Sequence, residues 1–172
     1  MKANYIVTIK ATNRQGLLHL VTGIVNRKLI EIDSLTAAKT DIDDIVLITM
    51  EINVSEKALT PLVQKIQHII EVFDVEAQLK ESTVTLRAAY FKFRKAFISA
   101  PNAALLSKHG AQVINLYPDA ILVSKTGCEA EISQLYSLVA NEHLLGFSQT
   151  GLIADSSLIE YKDEERISRL AA

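Results

Sequence analysis

The chain has 172 residues, of which 49% are hydrophobic and 22% charged, enough to bury one medium core or two small ones. A formal net charge of -2 and a pI near 6.1 exclude a general electrostatic attraction to nucleic acid or to an anionic membrane. The single cysteine, Cys128, excludes an internal disulfide framework, and no zinc-type spacing or membrane-length apolar run is present. These features predict a cytoplasmic protein whose partners are proteins or small molecules.

The first elements alternate between strand and helix patterns. β-branched residues predict a strand over 5–10, and apolar residues at spacings of three and four predict a helix from Gly16 to about Lys28. Two further β-rich runs, 30–39 and 45–54, flank the turn formers 40–44. They predict an antiparallel hairpin.

A second helix and a fourth strand follow the hairpin. The apolar stripe of the predicted helix consists of Leu59, Val63, Ile66 and Ile70. Because proline costs about 3 kcal/mol in a helix interior, we expect Thr60 to cap this helix and Pro61 to be its first residue. The run 72–79 is predicted to be the fourth strand.

The order strand-helix-strand-strand-helix-strand predicts a ferredoxin-like unit, with both helices on one face of a four-stranded antiparallel sheet. The opposite face of the sheet is expected to be bare. Since a bare face or a free strand edge is usually covered by another copy, we expect a homodimer.

The same order repeats after the polar break Lys80-Glu81-Ser82. The predicted strands are 83–93, 111–116, 120–125 and 145–153, and the predicted helices are 101–108 and 129–141. The fold class is therefore α+β, with two tandem ferredoxin-like βαββαβ units. The predicted domains are 1–80 and 81–159, followed by a polar tail over 160–172.

The first strand-to-helix turn carries the residues most suited to binding. Gly16 at the start of a helix leaves backbone N–H groups uncovered, and these can hold the carboxylate of a small ligand. Asn13 offers an amide that both donates and accepts, while Leu17 and Leu18 offer apolar surface. We expect ligand binding at this turn.

The motif Asn13-x-x-Gly16-Leu17-Leu18, with Val21-x-Gly23-Ile24 and the run 32–36, resembles the opening of an ACT domain. The whole chain resembles the small, regulatory subunits of acetolactate synthase, also called acetohydroxyacid synthase. The resemblance continues through the hairpin 114–118, the pair Thr126-Gly127 and the pair Thr150-Gly151, and covers about residues 4–158.

This resemblance implies a non-catalytic subunit that forms a homodimer, binds the large catalytic subunit and raises its activity. It also implies sensitivity to a branched-chain amino acid, usually valine. Thiamine diphosphate, magnesium and flavin would be carried by the catalytic subunit, so no cofactor is expected on this chain. Neither nucleic acid nor a membrane is implied as a partner.

Carried over to this sequence, the resemblance places the ligand between two ACT domains. Asn13 would supply its amide, the backbone of Gly16, Leu17 and Leu18 would hold the carboxylate, and Ile32 of the other subunit would form an apolar wall. The family commonly has Gly-x-Asn before this isoleucine, whereas this chain has Leu29-Ile30-Glu31. Glu31 could pair with a ligand ammonium or repel its carboxylate.

Two other classes of function remain as alternatives. The ACT-type unit could serve a free-standing amino-acid sensor that controls another protein. A small enzyme could use Cys128 with His109 or His143, although no flanking motif supports a nucleophile. The basic and aromatic run 87–95 is expected to be a protein-docking surface or a solvated strand edge, and the aspartates of 40–44 to be turn residues.

Overall fold

A computed structural model of the chain describes residues 1–158, so the predicted polar tail over 160–172 lies outside the described residues. The chain divides into two compact units. Among the described residues, unit 1 comprises Met1–Val84 and 152–158, and unit 2 comprises Thr85–Gly151. No helix among the described residues is long and apolar enough to cross a membrane.

Unit 1 contains four long strands and two helices. In chain order they are β1 (Lys2–Thr12), α1 (Leu17–Arg27), β2 (Ile32–Lys39), β3 (Ile45–Ser55), α2 (Glu56–Gln67) and β4 (Val72–Leu79). The strands lie in the order β2-β3-β1-β4, and all neighbours are antiparallel. This arrangement confirms the predicted ferredoxin-like unit.

The core of unit 1 lies between the helices and one face of the sheet. Both helices bury an apolar stripe, and β1 and β3 supply every second residue, as expected for strands with one face towards the core. The fully buried members include Val7, Ile9, Val21, Val25, Ile48, Met50, Ile52, Leu62 and Ile66. The pairing of β1 with β3 runs from Lys2–Ser55 to Thr12–Ile45, which sets the β2–β3 turn beside the end of β1.

The predicted start of α2 is wrong. The helix begins at Glu56 after the extended residue Ser55, and Pro61 lies inside it. Proline there leaves one backbone carbonyl without its N–H partner, but the burial of Leu59 and other apolar residues of the helix against the sheet offsets this cost. Ile70, predicted to continue the stripe, lies beyond the helix and is 95% exposed.

The expectation of a bare sheet face in unit 1 is also wrong at the centre of the face. Ile6 points away from the helices and is buried against Leu152 and Ala154, which follow unit 2 along the chain and belong to unit 1. The hydroxyl groups of Thr8 and Ser156 lie 3.1 Å apart on the same face. The sequence pattern missed this cover because residues 152–156 are distant from β1 along the chain.

Unit 2 repeats the arrangement with shorter elements. These are β5 (Thr85–Arg94), α3 (Ala100–Lys108), β6 (Gln112–Leu116), β7 (Ala120–Gly127), α4 (Glu129–Val139) and β8 (Leu144–Gln149). The strands lie in the order β6-β7-β5-β8 with antiparallel neighbours, so the α+β prediction with two ferredoxin-like units is confirmed. Stacked aromatic rings build its core, with Phe93 and Phe97 centroids 4.0 Å apart.

The closing strand of unit 2 is shorter than predicted. β8 ends at Gln149, and a separate strand β9 (Ile153–Ala154) belongs to unit 1. At the break, the Thr150 hydroxyl accepts the Ala88 N–H at 3.1 Å, while the Thr150 N–H donates to the Ala88 carbonyl at 2.8 Å. Thr150 therefore ends the ladder by bonding through both its backbone and its side chain.

Candidate functional site

The loop after β1 is held between two other turns of unit 1. The Thr12 N–H donates to the Glu71 carbonyl at 2.8 Å, and the Asn13 N–H donates to the Asp44 carbonyl at 2.6 Å. These bonds tie the loop to the connection before β4 and to the β2–β3 turn. These two hydrogen bonds fix the backbone position of Asn13, which is an exposed residue.

Gly16 is the N-cap residue that precedes helix α1, and it adopts a left-handed conformation with φ 90° and ψ -10°. Glycine adopts this conformation without the steric penalty of a Cβ atom. The Leu17 N–H donates to the Arg14 carbonyl at 3.2 Å, but within residues 1–158 the N–H groups of Leu18 and His19 donate to no acceptor. The positive end of the helix is therefore available to an anion.

A cleft of about 260 Å³ opens at this helix end. It is lined by Asn13, Arg14, Gly16, Leu17, Leu18, Ala37, Ala38, Lys39, Val46 and Ile48. Leu17 and Ile48 belong to the core of unit 1, whereas Leu18 is 42% exposed. The cleft thus combines an apolar wall with backbone donors, the combination that binds small molecules bearing one charged end.

A smaller cleft of about 150 Å³ shares lining residues with the first. Its lining consists of Asn13, Lys39, Thr40, Ile42, Asp43, Asp44 and Ile45. Asn13 and Lys39 line both clefts. Cations and free N–H groups suit a carboxylate, and the aspartates suit an ammonium, so the pair of clefts offers partners for both charges of an amino acid.

Four of the predicted ligand-binding residues, Asn13, Gly16, Leu17 and Leu18, therefore line one cleft. Glu31 and Ile32 do not line it or the smaller cleft. Ile32 begins β2 and Ala38 lies near its end, so about 20 Å of extended chain separates them. Within one copy of the chain, Glu31 and Ile32 therefore lie away from the four predicted residues that line the cleft.

The sequence prediction missed Arg14 and Lys39 as charged residues of the cleft, and treated Asp43 and Asp44 only as turn residues. The register that pairs Thr12 with Ile45 brings the β2–β3 turn beside the Asn13 loop. A pairing register between distant strands cannot be read from local patterns. The signal in the sequence was limited to the position of Lys39 at the end of a predicted strand.

The residues of the enzyme alternative make other contacts: His109 follows the end of α3, where its N–H donates to the Leu105 carbonyl at 3.2 Å. Cys128 precedes α4, and its N–H donates to Glu131 Oε2 at 3.2 Å. His143 packs its ring edge against Phe97, with centroids 6.5 Å apart. Across the described part of the chain, no thiol–histidine pair is formed and no group of three potential metal ligands occurs.

The basic run of β5 is engaged locally. Lys92 Nζ lies 5.2 Å from the centre of the Tyr117 ring, and Lys95 Nζ donates to the Pro118 carbonyl at 3.4 Å. Both contacts join the run 87–95 to the β6–β7 turn. The expectation of a strand edge is wrong, because β5 lies between β7 and β8 in the sheet; the docking surface stays a prediction.

Comparisons with known proteins agree with the sequence resemblance. The chain is 26% identical over 155 residues to the acetolactate synthase small subunit of Bacillus subtilis, covering 87% of this chain and 88% of that protein. It is 22% identical over 156 residues to a probable acetolactate synthase small subunit of Archaeoglobus fulgidus, covering 87% and 94%. No protein-family model matches the chain.

A solved structure shares the fold. The crystal structure of the acetolactate synthase small subunit from Thermotoga maritima superposes with a TM-score of 0.79 at 17% identity, covering 88% of this chain and 95% of that chain. The predicted resemblance to acetolactate synthase small subunits over most of the chain is thus confirmed. The superposition includes elements of both units.

Proposed function

We propose that this chain is a non-catalytic regulatory subunit that binds the catalytic subunit of acetolactate synthase, activates it and responds to a branched-chain amino acid. The observation that carries the proposal is the similarity to acetolactate synthase small subunits across 87% of the chain, which spans both units. The single cysteine fits a reducing compartment, so the proposed location is the cytoplasm.

The cleft at the start of α1 is the proposed amino-acid site. The free N–H groups of Leu18 and His19, at the positive end of the helix, bind the ligand carboxylate. The Asn13 amide hydrogen-bonds to the ligand and fixes the ligand's orientation. Leu18, Ala37 and Ala38 line the cleft and are exposed, so they offer apolar surface to the side chain. Valine is the proposed ligand, because a small aliphatic side chain needs no polar partner.

A homodimer through the edge strand β2 would complete this site. β2 forms one edge of the sheet in unit 1, and Leu35 at its middle is 37% exposed. An antiparallel pairing of two β2 strands about a twofold axis at Leu35 sets the partner subunit's Ile32 opposite Ala38, which lines the cleft. Glu31 of the partner subunit would then approach the ligand ammonium.

The test is the rate of acetolactate formation by the cognate catalytic subunit, titrated with this chain with and without valine, leucine or isoleucine. Activation that valine reverses is the expected result. Activation without reversal would retain the regulatory subunit and remove the amino-acid response. No binding and no activation would overturn the proposal.

A free-standing amino-acid sensor is the second candidate. The observation that favours it is the presence of two cations, Arg14 and Lys39, in the cleft. An amino acid with a neutral side chain has one carboxylate to pair with them, whereas an acidic amino acid has two. A thermal-shift screen of amino acids on the isolated chain tests it, since a ligand at a hundred times its Kd stabilises the fold by about 2.7 kcal/mol. Stabilisation by an acidic amino acid, without activation of the synthase, would favour this candidate.

A further inference from the structure

The sheet of unit 2 has one face that points away from its helices. Phe91 and Phe93 of β5 point into the core of the unit. Because successive residues of a strand point to opposite faces, their neighbours on β5 point to the other side, the outer face. The outer face is defined by the residues that β5 and its two neighbouring strands direct to it: Tyr90, Lys92 and Arg94 of β5, Ser124 of β7, and Gly146 and Ser148 of β8. Tyr90 is 50% exposed, so the outer face is open at its centre.

The corresponding face of the sheet in unit 1 is covered. Thr8 of β1 and Thr49 and Glu51 of β3 point away from the helices, and all three residues are buried. Leu152 packs against Ile6 on that face. Within residues 1–158, the sheet face that remains open is therefore the outer face of unit 2.

The strands of unit 2 carry positive charge without negative charge. The charged residues of β5, β6, β7 and β8 are Arg87, Lys92, Arg94 and Lys125. Lys92 and Arg94 point to the outer face, and neither forms an ion pair with another residue of 1–158. The acidic residues Asp119 and Glu142 lie in the turns before β7 and β8, not on the strands. An anionic partner would therefore meet two cations that have no ion-pair partner of their own.

The Tyr90 ring is free on the outer face. Its neighbours across the strands are Ser124 of β7 and Ser148 of β8, and the next residue of β5 on this face, Lys92, lies beside Gly146. These neighbours are too small to cover the ring. In the described part of the chain, the Tyr90 ring packs against no other aromatic ring and lies under no cation. A free aromatic ring of this kind stacks well against another planar ring.

A second tyrosine lies beside the outer face. Lys92 Nζ lies 5.2 Å from the centre of the Tyr117 ring, and Tyr117 is 42% exposed. Tyr117 belongs to the β6–β7 turn, which this contact joins to the central strand β5. Since residues two apart on one face of a strand lie about 7 Å apart, Lys92 is flanked by Tyr90 along β5 and by Tyr117 from the turn. The outer face therefore combines two aromatic rings with two cations.

We propose that the outer face of unit 2 binds single-stranded nucleic acid, with a base stacked on Tyr90 and phosphate groups bound by Lys92 and Arg94. Proteins that bind single strands combine cations along the backbone with aromatic side chains on which bases stack. Four-stranded sheets bind single-stranded RNA in this way, with two or three bases on their exposed aromatic residues. The negative charge of the whole chain does not oppose this binding, because unit 2 carries more lysines and arginines than acidic residues. A protein partner fits less well, because the core of a protein interface is apolar, whereas the cross-strand neighbours of Tyr90 are serines.

Fluorescence anisotropy of a labelled ten-nucleotide oligouridylate, titrated with the full chain over a series of salt concentrations, tests the proposal. Tyr90→Ala should weaken binding about tenfold, because the stacking of a base on an aromatic ring is lost. It should leave the salt dependence unchanged, since no charge is removed. Tyr90→Phe keeps the ring and should bind as the parent chain does. Leu138→Ala, which removes an equally exposed apolar side chain from α4, is the control.

The salt dependence itself tests the two cations. Lys92→Gln and Arg94→Gln should each reduce the slope of log K against log salt concentration by about 0.7, the contribution of one phosphate contact with a single strand. Lys108→Gln, which removes an exposed lysine of α3 in the same unit, should leave the slope unchanged. Circular dichroism verifies that all variants are folded.

The proposal is overturned if the oligonucleotide does not bind at low salt, or if Tyr90→Ala and Leu138→Ala lose equal affinity. It is also overturned if Lys92→Gln and Arg94→Gln leave the slope unchanged. Equal binding of a polyglutamate peptide of the same charge would show a general attraction to acidic partners, proteins included, and would likewise refute it. None of these outcomes depends on acetolactate synthase, so the proposed function is tested separately.

Discussion

The Lys80 ammonium lies 2.5 Å from Glu51 Oε1. Lys80 is the residue directly after β4. The Glu51 side chain is 4% exposed, and the Lys80 side chain 23%. Met50 and Ile52, which flank Glu51 on β3, point into the core, so Glu51 lies on the opposite face of the sheet, opposite Ile6. A buried carboxylate there needs a positive partner because its water has been removed.

We expect Lys80→Met to lower the free energy of unfolding by about 2 kcal/mol, because it leaves the Glu51 carboxylate buried without this cation. Urea denaturation of the full chain measures the change. Lys65→Met, which removes an exposed lysine from α2, is the matched control and should change the free energy by less than about 0.5 kcal/mol. Equal effects of the two substitutions would contradict the expectation.

The same substitution at two glycines of the first helix should have opposite effects. Gly16→Ala should destabilise the fold by about 1 to 2 kcal/mol, because φ 90° is strained for a residue with a Cβ atom. Gly23→Ala should stabilise it by about 0.5 to 1 kcal/mol, because alanine is the better helix former. An added Cβ atom meets nothing within 4 Å at either position, so both effects come from the backbone. Thermal unfolding of the two variants measures the difference, and equal signs would refute it.

Leu29 adopts φ 54° while its side chain is 95% exposed, so burial does not offset the strain. Leu29→Asn should raise the free energy of unfolding by about 0.5 to 1 kcal/mol, because asparagine tolerates the left-handed region. Ile70→Asn is the control, since Ile70 is equally exposed and has no positive φ. Chemical denaturation should show no gain for the control. A loss of activation of the catalytic subunit by Leu29→Asn alone would indicate that the strained leucine contacts that partner.

Asn13 and Ile32 should complement each other between chains if the amino-acid site lies between two copies. Asn13→Ala and Ile32→Ala should each abolish most of the valine response of the activated synthase, while activation itself stays unchanged. An equal mixture should recover about a quarter of the sites, because half of the dimers are mixed and each of these has one intact site. Asn26→Ala, an exposed asparagine at the end of α1, is the control. A mixture as unresponsive as the two parents would place both residues in one copy's site or outside it.

The sequence by itself determined the order of the elements and the position of the binding turn. Runs of β-forming residues located β1 and β3, the spacing of Leu17, Val21 and Val25 located α1, and Gly16 marked its start, as the structure confirms. These features are local, because a few neighbouring residues set the periodicity and the backbone conformation. The loop that carries Asn13 was predicted for the same reason.

Tertiary structure alone decided which distant segments meet. The start of α2 at Glu56 rather than at Pro61 depends on burial against the sheet, which offsets a poor local propensity. The cover of Ile6 by Leu152 joins residues that are far apart along the chain. The β1–β3 register likewise brings the β2–β3 turn to the Asn13 loop and builds the charged clefts. Such contacts are selected by the total apolar area buried, a property of the packed chain that no local pattern contains.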